Sequence, residues 1–264
     1  MADKFAIFGN PVEHSMSPKM HNCAFIELGI NSVYYKILLE DGTKLKEVFL
    51  EEGLKGANIT VPHKEAAYSA CDKLDDFAKK VGAVNTIVKK DGLLYGYNTD
   101  APGFLKSIEK FDNIKSILIL GAGGTVQSTS DILRDAGYDI TILNRSQSRL
   151  DYFDKKGFKT YTHDSFNPDK YDLIVNMTSA GLSDLNYPAP KEILEQILPD
   201  AKAVVDIIYG KDTPFLKLAK EYNLPTVDGK EMLLQQGVLA FDYFTNHTQD
   251  LEKAEAIMRE ALYY

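Results

Sequence analysis

The stretch 116–130, S-I-L-I-L-G-A-G-G-T-V-Q-S-T-S, constrains this chain more than any other. An apolar run over 117–120 meets Gly121, Gly123 and Gly124 and then passes into a helical pattern. Strand, glycine turn and helix start, in that order, make an anion site. The first N–H groups of a helix have no carbonyl partners and sit at the positive end of its macrodipole. Gly121 supplies a tight turn, and Gly123 lets a pyrophosphate approach the backbone. Glycines after a strand are by themselves only a turn. A second apolar run over 139–143, at βαβ spacing, makes the stretch a dinucleotide site.

The same alternation continues around it. Strands are expected over 117–120, 140–143, 173–176, 203–207 and 226–227, and helices over 126–136, 147–155, 192–198 and 215–222. Short strands separated by helices predict a doubly wound parallel sheet covered on both faces. Upstream, strands are expected over 4–9, 33–39, 57–61, 83–89 and 93–97. Asp91-Gly92 should turn the last two into a hairpin. Helices are expected over 18–28, 43–52, 72–80 and 101–110, the first opened by Pro18 and stopped at Gly29. After Gly229 the pattern is wholly helical, over 232–244 and 251–262, as in a tail that packs back on the first part of the chain. The fold class is therefore α/β, with two α/β domains and a cleft between. Residues 1–101 plus 237–264 form a discontinuous domain, and 102–236 form the doubly wound one.

Composition removes several classes of function. No apolar run approaches the roughly 18 residues of a membrane span, and the start M-A-D-K-F is no signal peptide. A net charge of −8 disfavours a broad nucleic-acid surface. Cys23 and Cys71 have no metal-like spacing and read as free thiols in a reducing cytoplasm. His14, His21, His63, His163 and His247 form no H-E-x-x-H pattern, and no metal is expected.

The end of the second strand of the glycine unit reads Asn144-Arg145-Ser146-Gln147-Ser148-Arg149, without the acid that holds a ribose 2′-hydroxyl in NAD sites. Two guanidiniums and a hydroxyl there would bind a 2′-phosphate, so NADP is the expected cofactor. Val126 departs from the fingerprint, which usually has Gly or Ala at that position.

Four polar clusters fall at strand ends or loops of the first domain: 14–18, 58–64, 82–86 and 96–100. Their hydroxyls, amides and one Lys/Asp pair suit a small polyhydroxylated ligand. Each also has a plain structural reading: Ser17 or Asp100 as a helix cap, Asn58 as a buried hydrogen-bonding residue.

Taken in order, the motifs resemble the shikimate dehydrogenase family. They are H-S-M-S-P (14–18), N-I-T-V-P-H-K (58–64), G-A-V-N-T (82–86), N-T-D (98–100), G-A-G-G (121–124), N-R-S (144–146), N-M-T-S-A-G (176–181), D-I-I-Y (206–209) and G-K-E-M-L-L-Q-Q-G (229–237). The resemblance implies a substrate-binding domain and a Rossmann-type NADP-binding domain. It implies reversible NADPH-dependent reduction of 3-dehydroshikimate to shikimate. Lys64 and Asp100 match the family's catalytic pair. Ser15, Ser17, Asn58, Thr60, Asn85, Asp100, Tyr209 and Gln236 match its substrate positions. Gly121, Ala122, Gly123, Gly124, Thr125 and Val126, with Asn144, Arg145, Ser146 and Arg149, match its cofactor site; Thr178, Ile207 and Gly229 match the nicotinamide end. The partner expected is the small-molecule substrate, with no nucleic acid and no membrane, and a homodimer left open. Two rivals stand beside this reading: a quinate/shikimate dehydrogenase with relaxed substrate or NAD use, and a non-catalytic NADP-binding sensor.

Overall fold

The structure is a computed structural model that describes residues 1–264. It opens with β1 (Asp3–Gly9), α1 (Ser17–Glu27) and β2 (Ser32–Leu38). A 3₁₀ turn over Gly42–Lys44 leads into α2 (Leu45–Glu51), and β3 (Gly56–Ile59), α3 (Lys64–Ala70), β4 (Lys73–Leu74) and α4 (Asp76–Val81) follow. The hairpin β5 (Thr86–Lys90) and β6 (Leu93–Tyr97) turns at Asp91 and Gly92, whose φ values of +50° and +79° are those a type I′ turn requires. After α5 (Asp100–Ile108) the glycine unit begins: β7 (Ser116–Leu120), α6 (Gly124–Asp135), β8 (Asp139–Asn144), α7 (Gln147–Lys155) and β9 (Lys159–Thr162). Then come β10 (Leu173–Asn176), α8 (Lys191–Ile197), β11 (Ala203–Asp206), α9 (Pro214–Glu221), β12 (Thr226–Val227), α10 (Lys230–Phe244) and α11 (Leu251–Tyr263).

The chain divides into two units, Met1–Gly103 with Leu233–Tyr264, and Phe104–Met232. The division read from the sequence was 1–101 plus 237–264, and 102–236.

In the first unit the sheet order is β2-β1-β3-β5-β6-β4. Strands β1, β2 and β3 pair in parallel, whereas β5 is antiparallel to both its neighbours. Alternation on β1 sends Phe5 and Ile7 into one core, with Phe25, Leu234, Phe241 and Met258. Ala6 and Phe8 go to the other face, against Leu45, Phe49 and Ile87. The tail helices α10 and α11 thus complete the first of these cores. Asp250 starts α11 by accepting the N–H groups of Glu252 and Lys253 at 3.0 and 3.1 Å.

In the second unit the order is β12-β11-β10-β7-β8-β9, with every pairing parallel. On β7, Ile117 and Ile119 enter one core with Val126, Ile142 and Val175. Leu118 and Leu120 enter the opposite one with Ile174, Leu194 and Phe215. A sheet buried on both faces is what its near-continuous apolar strands require. The chain runs outward from β7 through β8 and β9, then returns to place β10 on the other side of β7. That reversal is a switch point, outside whose carboxyl strand ends ligands bind.

Three local expectations change. The helix expected over 72–80 starts only at Asp76, because 73–74 pair with β6 and Asp75 caps the helix through the Ala78 N–H at 2.6 Å. Helix α3 was not foreseen beyond Lys64, although Glu65, Ala66, Ala67 and Ala70 are strong helix formers. Strand β9 was not foreseen: K-T-Y-T is short, polar and only half-buried, as an edge strand can be.

Candidate active site

A buried polar knot ties β2, β3, β5 and the start of α5 together. Tyr34 donates its hydroxyl to Asn58 Oδ1 at 2.7 Å. The Asn58 amide donates to Thr86 Oγ1 at 3.0 Å and to the Asn85 carbonyl at 3.3 Å. Asn85 Oδ1 in turn accepts the Thr99 N–H at 2.7 Å, and its amide donates to Thr99 Oγ1 at 3.0 Å. The Thr86 hydroxyl donates to Asn85 Oδ1 at 3.1 Å. All five side chains are buried, and buried polar groups persist only when bonded in this way. Asn58 and Asn85 therefore spend most of their hydrogen-bonding capacity inside the chain. Their first effect is to fix where α5 begins.

That beginning is Asp100. Its Oδ2 lies 2.5 Å from Lys64 Nζ, the two side chains being 16% and 26% exposed. Lys64 is the first residue of α3. The helix start is held by the buried ring of His63, whose Nε2 lies 2.6 Å from the Leu39 carbonyl. The Lys64 carbonyl accepts the Val84 N–H at 3.1 Å. An ammonium and a carboxylate are thus locked together on two helix starts yet remain reachable from solvent. Lysine can hand a proton to an oxygen or take one back; aspartate can orient it and accept hydroxyls.

Other expected substrate residues gather in the same unit. Ser15 Oγ accepts the Ser17 N–H at 3.3 Å at the head of α1. Ser17 is buried, and burial drives the pKa of the Tyr34 hydroxyl well up. Thr60 is half-buried, and its methyl fills the space beside Gly9, where a Cβ would stand 2.4 Å away. Gln236 is buried on α10, its amide bonded to the Leu233 carbonyl at 2.8 Å. The α10 backbone lies so close to the first turn of α5 that a Cβ on Gly103 would meet Gln236 N at 2.6 Å. Tyr209 belongs to the second unit, half-buried beyond β11, with burial raising its pKa.

The second unit holds a cavity of about 930 Å³ whose lining includes Gly121, Gly123, Asn144, Arg145, Arg149 and Thr178. Gly121 has φ +118°, and Thr178 Cγ2 would stand 3.0 Å from a Cβ there, so glycine is needed for both turn and space. A Cβ on Gly123 would meet nothing within 4 Å, which leaves that approach open to a ligand. No side chain caps α6, so its first N–H groups face outward unpaired by side chains. Of the four arginines, Arg134 and Arg259 pair with carboxylates, but Arg145 and Arg149 stand in no ion pair. Asn144 ends β8 without a carboxylate and bonds the Ser146 carbonyl at 3.0 Å. A dinucleotide carrying a 2′-phosphate fits this donor set.

The remaining cofactor candidates divide. Gly124 and Thr125 form the first turn of α6 but lie outside the cavity lining, whereas Ala122 and Ser146 line it. Val126 is fully buried in the core, so its side chain offers a ligand nothing and only its N–H points toward the helix start. Thr178 uses its hydroxyl locally, donating to Asn176 Oδ1 at 2.8 Å and accepting the Ala180 N–H at 3.1 Å. Ile207 and Gly229 lie outside this lining. A Cβ on Gly229 would come 2.0 Å from the Ile207 carbonyl oxygen, so that glycine is fixed by backbone packing. Buried Asp206 pins the loop beside it, accepting the Ile208 N–H at 3.0 Å and the Thr213 hydroxyl at 2.7 Å.

Sequence reading missed Tyr34, Thr86, Thr99 and His163. Thr86 and Thr99 sit inside quoted motifs, where the pairing of β5 with β6 would have exposed them. Nothing in the sequence marks Tyr34. His163 follows β9, and recognising that strand would have aligned it with Arg145.

The model of the shikimate dehydrogenase substrate binding domain matches residues 7–87. Curated proteins named shikimate dehydrogenase (NADP(+)) include one from Helicobacter hepaticus, 42% identical over 265 residues and covering 98% of both chains. Another, from Geobacillus kaustophilus, is 35% identical over 99% of both. Among solved structures, shikimate dehydrogenase from Aquifex aeolicus is 36% identical with a TM-score of 0.85, covering 98% of each chain. Shikimate 5-dehydrogenase from Thermus thermophilus, in complex with NADP(H) and shikimate, is 34% identical with a TM-score of 0.84, over 98% of this chain and 99% of that one.

Proposed function

This chain belongs to the shikimate dehydrogenase family, and on that premise we propose that it catalyses the reversible NADPH-dependent reduction of 3-dehydroshikimate to shikimate. The observation that carries the reading is the Lys64–Asp100 pair at 2.5 Å, set on two helix starts by a buried network. Relatives named as NADP(+) enzymes and the two unpaired cavity arginines support the cofactor.

When bound, NADPH supplies the hydride. The chain supplies position and the proton. Lys64 Nζ serves as general acid in reduction, donating to the oxygen that becomes the hydroxyl, and as general base in the reverse direction. Asp100 holds the ammonium in place and accepts from a neighbouring substrate hydroxyl. Ser15, Ser17 and Thr60 supply hydroxyls to the substrate carboxylate, Asn85 and Gln236 supply amides to its ring oxygens, and Asn58 assists by holding Thr86 and the Asn85 carbonyl in place. Tyr209 contributes a phenol to the same ligand. In the second unit the α6 start receives the pyrophosphate, and Arg145, Ser146 and Arg149 receive the 2′-phosphate. Thr178, Ile207 and Gly229 shape the nicotinamide end. The reading includes a cytoplasmic enzyme, which the free thiols Cys23 and Cys71 support.

The test is initial rate at the nicotinamide absorbance band, with shikimate or quinate and NADP⁺ or NAD⁺ in all four combinations. Turnover dominated by shikimate with NADP⁺ is expected. Comparable quinate or NAD⁺ rates would move the chain to the broader specificity. No turnover in any combination, with NADP⁺ still bound, would leave a sensor.

A further inference from the structure

β8 and β9 are parallel neighbours in register, Asn144 opposite Thr162. One residue past the end of each strand stand Arg145 and His163. Both line the 930 Å³ cavity, together with Ser146 and Arg149. Parallel pairing thus brings an imidazole beside the guanidinium at the carboxyl edge of the sheet, where a 2′-phosphate would be read. The position is built, not incidental. Thr162 and Ser165 clamp the turn that carries His163: the Thr162 N–H donates to Ser165 Oγ at 3.0 Å, and the Ser165 N–H returns to Thr162 Oγ1 at 3.3 Å.

We propose that His163 is a third reader of the cofactor's 2′-phosphate, beside Arg145 and Arg149, and that it couples preference for the 2′-phosphorylated dinucleotide to proton uptake. The proposal rests on the cofactor reading above and extends it to a residue no motif marks.

The electrostatics of the free site agree in direction. Burial lowers the His163 pKa from its usual 6.5, Arg145 lowers it further, and adjacent Asp164 partly restores it. The other charged groups on the cavity wall are Arg149 of α7, Asp184 and Lys191. Asp184 is occupied by the N–H groups of Gly181 and Asn186 at 2.8 and 3.1 Å, and Lys191 pairs with Glu195 at 3.1 Å. Neither is free to serve the imidazole. A dianion arriving between Arg145 and His163 offsets the arginine charge and favours imidazolium, which then donates a charge-assisted hydrogen bond. An adenosine lacking the 2′-phosphate produces no such uptake.

The experiment is calorimetric binding of 2′,5′-ADP and of 5′-AMP, which lacks only the 2′-phosphate, to the whole protein between pH 8 and pH 6, in two buffers of different ionisation enthalpy. Wild type is compared with His163→Gln and His163→Lys. Wild type should take up more protons than His163→Gln on binding 2′,5′-ADP, and the two should exchange equal numbers on binding 5′-AMP, since the nucleotides' own phosphates titrate alike in both proteins. His163→Gln should lose that excess and bind 2′,5′-ADP roughly tenfold more weakly at pH 6, the gap narrowing toward pH 8. Its affinity for 5′-AMP should be unchanged, which also reports an intact fold. His163→Lys should retain tight 2′,5′-ADP binding at pH 8 without the excess. Equal affinities and equal proton uptake in wild type and His163→Gln would overturn the role of His163 while leaving the cofactor reading intact. A wild type that does not distinguish the two nucleotides at any pH would overturn the cofactor reading itself, and this proposal with it.

Discussion

Asn85 Oδ1 accepts the backbone N–H of Thr99 at 2.7 Å, so the residue immediately before Asp100 hangs from a buried amide on another strand. Asn85→Ala removes that acceptor and orphans the Thr99 N–H, while the Thr86 and Thr99 hydroxyls lose one partner but keep each other at 3.2 Å. Leaving buried groups unpaired should cost about 1–3 kcal/mol of stability, read as a lower urea midpoint with an unchanged slope. Because Asp100 is then free to drift, kcat should fall as well as KM rise. A variant with wild-type stability and a change in KM alone would show that Asn85 acts only as a ligand.

Lys64 carries the proton in the proposed reaction, and its ammonium bonds Asp100. Lys64→Met keeps the aliphatic stem and removes the proton carrier. The expected result is a loss of roughly 10²–10⁴-fold in kcat, with equilibrium binding of NADP⁺ unchanged because that site is built from the other unit. Retention of most of kcat would remove Lys64 from the chemistry.

What the sequence disclosed depended on how local the signal was. The strand–glycine–helix unit is legible because turn, dipole and core face are all written within fifteen consecutive positions around Gly121. The hairpin at Asp91-Gly92 is legible for the same reason. Strand β9 is not, since Lys159 to Thr162 pair with β8 through the backbone while their side chains carry no apolar alternation. The motif residues Asn58 and Asn85 could be named but not understood. Whether an asparagine faces a ligand or a neighbouring threonine is decided by sheet pairing that brings position 58 beside 86 and 85 beside 99. Tyr34 shows the limit most clearly. Its partner Asn58 lies 24 residues away, two strands across the sheet.

His21 lies fully buried and stacked on Tyr34, ring centroids 4.5 Å apart and planes within 7°. Neither ring nitrogen has a hydrogen-bond partner. Burial pushes its pKa down from 6.5 to about 3. The unfolded chain therefore binds a proton that the folded chain refuses, and stability is present above pH 6.5 and lost as pH falls below it. The slope approaches about 1.4 kcal/mol per pH unit. His21→Phe should remove this contribution, so that between pH 7 and pH 5 the variant loses about 2 kcal/mol less than wild type in urea unfolding. No hydrogen bond is given up, and the ring joins Phe25, Phe241 and Phe244, so stability at pH 7 should change by less than about 1.5 kcal/mol. Parallel pH profiles for the two proteins would mean that the buried imidazole is not what titrates.

Two glycines assigned to the same cofactor site should respond in opposite ways to alanine. At Gly123, φ is −86° and an added Cβ meets no protein atom within 4 Å, so neither strain nor clash opposes the change. Gly123→Ala should leave the urea midpoint unchanged or slightly higher, since it also restricts the unfolded chain. The methyl group does occupy the approach to the α6 start, and NADP⁺ affinity should fall by at least roughly tenfold, about 1.4 kcal/mol. At Gly229 the added Cβ would lie 2.0 Å from the Ile207 carbonyl oxygen and 2.5 Å from its carbon, and backbone cannot step aside as a flexible side chain can. Gly229→Ala should therefore cost more than about 3 kcal/mol, or abolish soluble expression, before any question of ligand arises. Calorimetry and urea unfolding on the pair separate the two cases. A stable Gly229→Ala protein that has merely lost cofactor affinity would place that glycine at the ligand after all, and an unstable Gly123→Ala protein would deny the open approach on which the cofactor site depends.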